Sequence, residues 1–150
     1  SISKSYGVPG VRLGILASGN KEMIASLKKD VAIWNINSFG EFYLQIAEKY
    51  KKAYVSGMRE FRMERARFKE ALDNIQGLRV IPSQANYFMI ELTDGTSSRN
   101  LAIQLMKQNV FIKDLSSKVG GKQYVRIAVR NTEENNQLIE AIKNIRNGEK

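Results

Sequence analysis

Apolar residues recur at three- and four-residue intervals through the middle of the sequence, and this spacing predicts a long helix from about Ala53 to Ile75. Its apolar positions include Met58, Phe61, Phe68 and Leu72. Gly77 follows and favours the end of the helix, as a C′ residue. A helix of this length can brace two parts of a larger molecule.

After Gly77 the pattern changes from helical spacing to short strands. Strands are predicted at Leu78–Ile81, Tyr87–Leu92, Val110–Ile112 and Tyr124–Val129. Helices are predicted at Asn100–Lys107 and after a cap at Asn131 or Thr132. This order is typical of a layer of helices packed on a sheet, in an α/β or α+β fold.

The residues before the long helix give weaker signals. Val11–Ala17 is apolar apart from Arg12 and predicts a short buried strand. A helix is predicted at Lys21–Lys29, then a non-helical passage at 34–37, and Ser38 is predicted to cap the next helix.

Composition limits the chemistry. The 150 residues contain no Cys and no His, which excludes disulfides, thiolate metal sites and the commonest neutral-pH acid or base. Catalysis would therefore depend on Lys, Arg, Tyr, Ser or carboxylates. No secretory segment or membrane-spanning apolar run is evident, so a cytoplasmic protein without a membrane partner is expected.

The formal charge of +9 suggests an anionic partner, which could be a nucleic acid, a membrane surface or a phosphorylated small molecule. Much of the excess lies between Lys49 and Lys69, where acidic residues interleave with the bases at helical spacing, and a solvated helix face is the favoured interpretation. A nucleic-acid-binding surface would carry exposed aromatic residues among the bases, whereas the aromatic residues here have core spacing. No nucleic-acid partner is expected.

The densest chemical signal lies at the start of the chain, which reads SISKSYGVPGVRLG. Glycines at positions 7, 10 and 14 allow tight turns, and Arg12 follows Lys4 by eight residues on an otherwise apolar segment. A buried, unpaired guanidinium would be destabilising, so Arg12 is expected to meet an anion.

This segment resembles the lysine signature of class I/II (fold type I) pyridoxal-phosphate (PLP) aminotransferases. The resemblance implies that Lys4 is catalytic and forms a Schiff base with the PLP aldehyde, and that Ser1 and Arg12 bind the cofactor phosphate. A lysine suits this chemistry because its amine first holds the cofactor and, once displaced by the substrate amine, stands beside the Cα–H bond as a base.

A second match lies in the stretch QYVRIAVRNTEEN at 123–135, which resembles the terminal strand, turn and helix of the same family. The resemblance implies that Arg126 binds the substrate α-carboxylate, for which its planar fork is suited. Arg130 lies four residues further along, so its side chain could lie on the same side of the sheet as that of Arg126. The preferred interpretation of Arg130 is nevertheless a surface charge at the start of the last helix.

Two smaller segments show further similarity. Residues 83–88 are similar to a segment of histidinol-phosphate aminotransferases, and residues 34–37 to a segment of threonine-phosphate decarboxylases. In histidinol-phosphate aminotransferases, an arginine thirteen residues before the arginine that binds the carboxylate helps to hold the substrate phosphate. Lys113 occupies that position here. Lysine keeps the charge but lacks the fork, so a substrate-phosphate role and an ordinary surface lysine are equally compatible with the sequence.

The implied fold is α/β: the C-terminal part of a PLP-dependent transferase, with a long helix and a small α+β domain whose mostly antiparallel sheet is covered by helices. Residues 1–36 would be a remnant of the large PLP-binding domain, 37–76 interdomain helices, and 77–150 the small domain. The family's ring-binding residues precede the lysine. The upstream part of the large domain is therefore an expected partner, the full-length enzyme is expected to be a homodimer, and the chain alone is expected to be inactive.

The implied activity is transfer of an amino group between an amino acid, phosphorylated or not, and a 2-oxo acid. Decarboxylation of a phosphorylated amino acid is the alternative within the family, because the same carbanion chemistry follows when the carboxylate stands perpendicular to the cofactor ring. A non-catalytic basic binding module is the third hypothesis.

Overall fold

The computed structural model describes residue 2 and residues 4–148. The chain forms two compact units, Ser1–Met58 and Arg59–Lys150, and the division falls within a long helix. The finer division at residues 36 and 76 expected from the sequence stays a prediction. Among the described residues, none of the helices is both long and apolar enough to cross a membrane.

The first unit is helical. After a 3-10 turn at Pro9–Val11 come α1 (Lys21–Lys29), α2 (Ser38–Ala47), a second 3-10 turn at Glu48–Tyr50 and the start of α3 (Lys51–Asp73). The Asn20 side chain caps α1 by accepting a hydrogen bond from the Met23 amide, at 2.9 Å. Asn37 caps α2, since its side chain accepts a hydrogen bond from the Gly40 amide, so the prediction of Ser38 as the cap was wrong by one residue.

The predicted strand at Val11–Ala17 was wrong. Val11 ends the first 3-10 turn, and Arg12 has a left-handed backbone with φ of 57°. Ile15 and Leu16 are 79% and 63% exposed rather than buried. A strand is stable only when its backbone groups are paired across a ladder, and the described residues of this unit contain no second strand.

The second unit is built on a sheet of β1 (Leu78–Val80), β2 (Tyr87–Leu92), β3 (Lys113–Asp114) and β4 (Tyr124–Ala128). The strand order is β1-β2-β4-β3, and every neighbouring pair is antiparallel, which confirms the predicted sheet. The third strand begins later than the predicted Val110–Ile112. Val110 and Ile112 pack partly buried against the core, so their apolar pattern reports burial and not strand pairing.

Helices cover one face of this sheet. The end of α3, α4 (Ser98–Met106) and α5 (Thr132–Gly148) pack with the inward side chains of the strands in one apolar core. The largest fully buried apolar side chains are Phe68, Phe88, Leu72, Ile90, Leu101, Leu105, Ile127 and Ile142. Because side chains alternate along a strand, Val125 and Ile127 enter this core while Arg126 lies on the opposite face, which we call the outer face.

Gly77 is required for a reason other than the predicted helix cap. Helix α3 ends at Asp73, and Gly77 lies in the turn before β1 with φ of +79°. A Cβ atom there would collide with the side chains of Arg146 and Asp94, which form an ion pair. Backbone conformation and close approach therefore both exclude a side chain at this position.

The Glu64 carboxylate joins α3 to the start of α5. It accepts hydrogen bonds from Arg67 at 2.8 and 2.7 Å, from the Asn135 amide nitrogen at 2.7 Å and from the Thr132 hydroxyl at 2.8 Å. The Glu64 side chain is only 13% exposed. The bonds from Arg67, with smaller contributions from Asn135 and Thr132, lower the pKa of Glu64 from its ordinary 4.5 to about 2, although burial opposes the shift.

Replacement of Glu64 by glutamine is expected to lower the free energy of unfolding by roughly 2 kcal/mol near neutral pH, since charge-assisted hydrogen bonds are lost. A carboxyl whose pKa is lowered on folding stabilises the fold above its unfolded pKa, and this contribution is lost as pH falls from 4.5 towards about 2. Urea unfolding of both forms across this range should show their difference shrinking. Glu70→Gln, at an exposed position on the same helix, is the control, and an equal loss there would contradict the role of Glu64.

Candidate active site

Lys4 lies in an exposed turn, Lys4–Gly7, at the start of the first unit. The Tyr6 amide of the turn donates to the carbonyl of Ile2, which precedes the turn, at 3.0 Å, and Gly7 has a positive φ of 65°. The Ile2 amide donates to the Leu13 carbonyl at 3.3 Å. This bond closes residues 2–13 into one loop, which carries Lys4 near one end and Arg12 near the other.

The end of the loop that carries Arg12 is fixed to helix α2 and to the residue that caps it. The Asn37 side chain donates to the Val11 carbonyl at 3.0 Å, and Leu13 is buried. Leu13 lies so close to Gly40 that a Cβ atom on that glycine would be 3.1 Å from it. Arg12 itself is exposed, so the argument from guanidinium burial does not apply to it. Its predicted role in phosphate binding depends on the resemblance and on its place in the Lys4 loop.

Ser1, the other predicted phosphate ligand, lies outside the described residues. Its role stays a prediction. The described residues contain no group of three or more acidic side chains that could hold a metal ion.

In the second unit, Arg126 lies at the centre of the outer face of the sheet. Its Cα is paired with Lys113 on β3 and with Met89 on β2. The side chain is exposed, and its guanidinium carbon lies 5.3 Å from the centroid of the Tyr87 ring. A cation held over an aromatic face keeps its donors free for an anion. Tyr87 belongs to the 83–88 segment identified in the sequence, but its contact with Arg126 was not predicted.

Lys113 and Arg126 lie directly opposite each other, and both are exposed. Like charges in this relation destabilise a strand pair. In the described part of the chain, neither forms an ion pair with an acidic residue, whereas Arg79 on the same face is paired with Glu91. An anion bound between Lys113 and Arg126 would relieve their repulsion.

Two other arginines have structural contacts. Arg130 forms an exposed ion pair with Glu134 at 2.7 Å, in agreement with a surface charge at the start of α5. Arg65 is partly buried. Its guanidinium lies 4.9 Å from the Phe88 ring centroid, and its Nε donates to the Ala85 carbonyl at 3.0 Å. Arg65 therefore orders the 83–86 connection that leads into β2.

The model of the family described as aminotransferase class I and II matches residues 1–142. The chain belongs to this family. The chain is 34% identical to the CMP-5'-(3-aminopropyl)phosphonate synthase of Streptomyces rubellomurinus, over 99% of the chain and 24% of that protein. It is also 34% identical to the L-serine phosphate decarboxylase of Sulfurospirillum multivorans, over 97% of the chain and 38% of that protein.

Among solved structures, a histidinol-phosphate aminotransferase from Clostridium acetobutylicum matches with a TM-score of 0.87 and 28% identity, over 98% of this chain and 44% of that one. The fold type I architecture and the resemblance to histidinol-phosphate aminotransferases and threonine-phosphate decarboxylases are therefore confirmed. The chain spans between about a quarter and two-fifths of the length of these curated relatives.

Membership of this family implies PLP as the cofactor. The described residues fit that group in two respects. The Lys4 amine is exposed, as a covalent link to an aldehyde requires, and the exposed Arg12 lies on the same closed loop without an ion-pair partner in the described residues. An amine and a guanidinium on one loop suit a single ligand that carries both an aldehyde and a phosphate.

Proposed function

We propose that this chain supplies two parts of a PLP-dependent enzyme that acts on a phosphorylated amino acid. These are the lysine that binds the cofactor and the positively charged residues that bind the substrate. Decarboxylation is the reaction we favour, and transamination is the second candidate. The observation that carries the proposal is the opposition of Lys113 and Arg126 on the outer face. A phosphorylated amino acid offers two anionic groups, a carboxylate and a phosphate, to two adjacent cations.

Each residue has a distinct role in this proposal. Lys4 would hold the cofactor covalently, and its amine would transfer a proton to or from the substrate α-carbon. Arg12 neutralises the cofactor phosphate. Arg126 binds the α-carboxylate through two parallel hydrogen bonds, and Lys113 meets the substrate phosphate as a point charge. When bound, PLP supplies an electron-withdrawing ring that stabilises negative charge at the α-carbon.

Decarboxylation and transamination differ in which α-carbon bond is aligned for cleavage, and the orientation set by Arg126 and Lys113 would decide this. The 34% identity to an L-serine phosphate decarboxylase favours decarboxylation. The likeness to a histidinol-phosphate aminotransferase supports transamination as the second candidate. Incubation of the enzyme with O-phospho-L-serine and a 2-oxo acid as amino acceptor distinguishes the two reactions. Decarboxylation releases carbon dioxide, whereas transamination converts the acceptor into its amino acid, and both products are measured in parallel. If neither product forms from any phosphorylated amino acid tested, the proposal is wrong.

Because the chain spans only part of its relatives, we propose that the remaining cofactor contacts come from an upstream part of the large domain and that the assembly is a homodimer. We call the chain together with this upstream part the complete enzyme. The chain without it is expected neither to bind PLP tightly nor to turn over substrate.

Replacement of Lys113 by methionine in the complete enzyme is expected to raise KM for the phosphorylated substrate about tenfold, through loss of one charge-assisted contact. KM for the unphosphorylated amino acid should change little, and Lys113→Arg should restore binding. Steady-state kinetics with the two substrates measures this difference. Lys107→Met, at an exposed position after α4, is the control. Equal effects on both substrates would contradict a phosphate-binding role.

A further inference from the structure

Three tyrosines from separate parts of the first unit meet beside the Lys4 turn. Tyr6, within the turn, stacks on Tyr54 of α3 with ring centroids 4.5 Å apart and an interplanar angle of 12°. Tyr43 of α2 meets Tyr6 edge-on, with centroids 6.5 Å apart at 81°. The turn is therefore held by aromatic contacts from both helices and not only by its own backbone bonds.

Tyr54 contacts the turn a second time through its hydroxyl group. This hydroxyl donates to the carbonyl of Ser5 at 3.1 Å, across 49 positions in the sequence. Ser5 follows Lys4 directly. The Tyr54 side chain thus contacts the residues that follow Lys4 in two ways, by ring stacking on Tyr6 and by a hydrogen bond to Ser5.

These contacts matter because the turn has little other support. Lys4, Ser5, Tyr6 and Gly7 are all exposed. A lysine that both binds the cofactor and transfers a proton must bring its amine reproducibly to the cofactor aldehyde carbon and to the substrate α-carbon. Because the lysine side chain is flexible, the position of its amine depends on a fixed backbone. Tyr54 is partly buried on a helix of 23 residues, which offers a rigid support.

We propose that Tyr54 is a positioning residue that holds the Lys4 turn in its working conformation through Tyr6 and Ser5. The inference rests on the proposed role of Lys4 as the cofactor lysine. Tyr54 itself is assigned no contact with substrate or cofactor.

Two variants of the complete enzyme separate the two contacts. Tyr54→Phe keeps the ring and removes only the hydrogen bond, whereas Tyr54→Leu removes both. Amide hydrogen exchange of the peptide covering residues 2–8, measured by mass spectrometry, is expected to accelerate about fivefold in Tyr54→Phe and about twentyfold in Tyr54→Leu. Tyr50→Leu is the matched control. Tyr50 lines a cavity of about 350 Å³ together with Tyr6, Tyr43 and Tyr54, but it has no ring stack or hydrogen bond to the turn among the described contacts.

The second measurement is the fraction of Lys4 modified by PLP after borohydride reduction, read by peptide mass spectrometry. The fraction should fall most in Tyr54→Leu, fall less in Tyr54→Phe and stay unchanged in Tyr50→Leu. Unchanged exchange and unchanged modification in Tyr54→Leu, with Lys4 modified in the parent enzyme, would overturn the positioning role and leave the proposed function standing. Absence of modification at Lys4 in the parent enzyme would overturn the proposed function, and the positioning role with it.

Discussion

Replacement of Lys4 by alanine in the complete enzyme is expected to reduce turnover by roughly a thousandfold or more, because covalent attachment of the cofactor and proton transfer are lost together. The variant should also lose the absorbance band of lysine-bound PLP. Lys4 is exposed in its turn, and its side chain supports no part of the described core. The unfolding midpoint of the cofactor-free variant should therefore equal that of the cofactor-free parent enzyme.

Lys21→Ala is the control for this experiment, since Lys21 is an exposed lysine at the start of α1. Single-turnover absorbance with the substrate amino acid and steady-state product formation should both be normal in that variant. Turnover within a few-fold of the parent in Lys4→Ala would remove the basis of the proposed function.

Replacement of Arg126 by lysine is expected to raise KM for the amino acid by about one to two orders of magnitude, with a smaller change in kcat. Lysine keeps the charge but lacks the planar fork that binds a carboxylate through two hydrogen bonds. It would also lose the guanidinium stacking on Tyr87, which lies 5.3 Å away. Steady-state kinetics, with the Kd of a carboxylate-bearing inhibitor, measures the effect.

The matched control is Arg79→Lys, because Arg79 lies on the same face of the sheet but is paired with Glu91. That variant should bind substrate normally. An unchanged KM in Arg126→Lys, or an equal increase in both variants, would show that Arg126 does not bind the carboxylate.

The strands and helices of the second unit were predictable because each buries one side. Tyr87–Leu92 and Tyr124–Ala128 are short apolar runs bounded by turn residues, and the spacing of Phe68 and Leu72 marks the buried side of α3. Val11–Ala17 and Val110–Ile112 have equally apolar patterns and are not strands. Val110 and Ile112 pack against the core whereas Ile15 and Leu16 are exposed, so an apolar pattern by itself establishes neither burial nor a strand. A strand also needs a partner whose position the local sequence does not contain.

The sequence alone determined the enzyme family, because the segments around Lys4 and Arg126 have its residue types and spacing, and the roles of these residues were predicted from that resemblance. Only the tertiary structure decided which residues meet. Strand register places Lys113 opposite Arg126, and packing between elements brings Tyr54 onto the Lys4 turn. The physical reason is that motifs and periodicity are local, whereas strand register and helix packing depend on surfaces far apart in the chain.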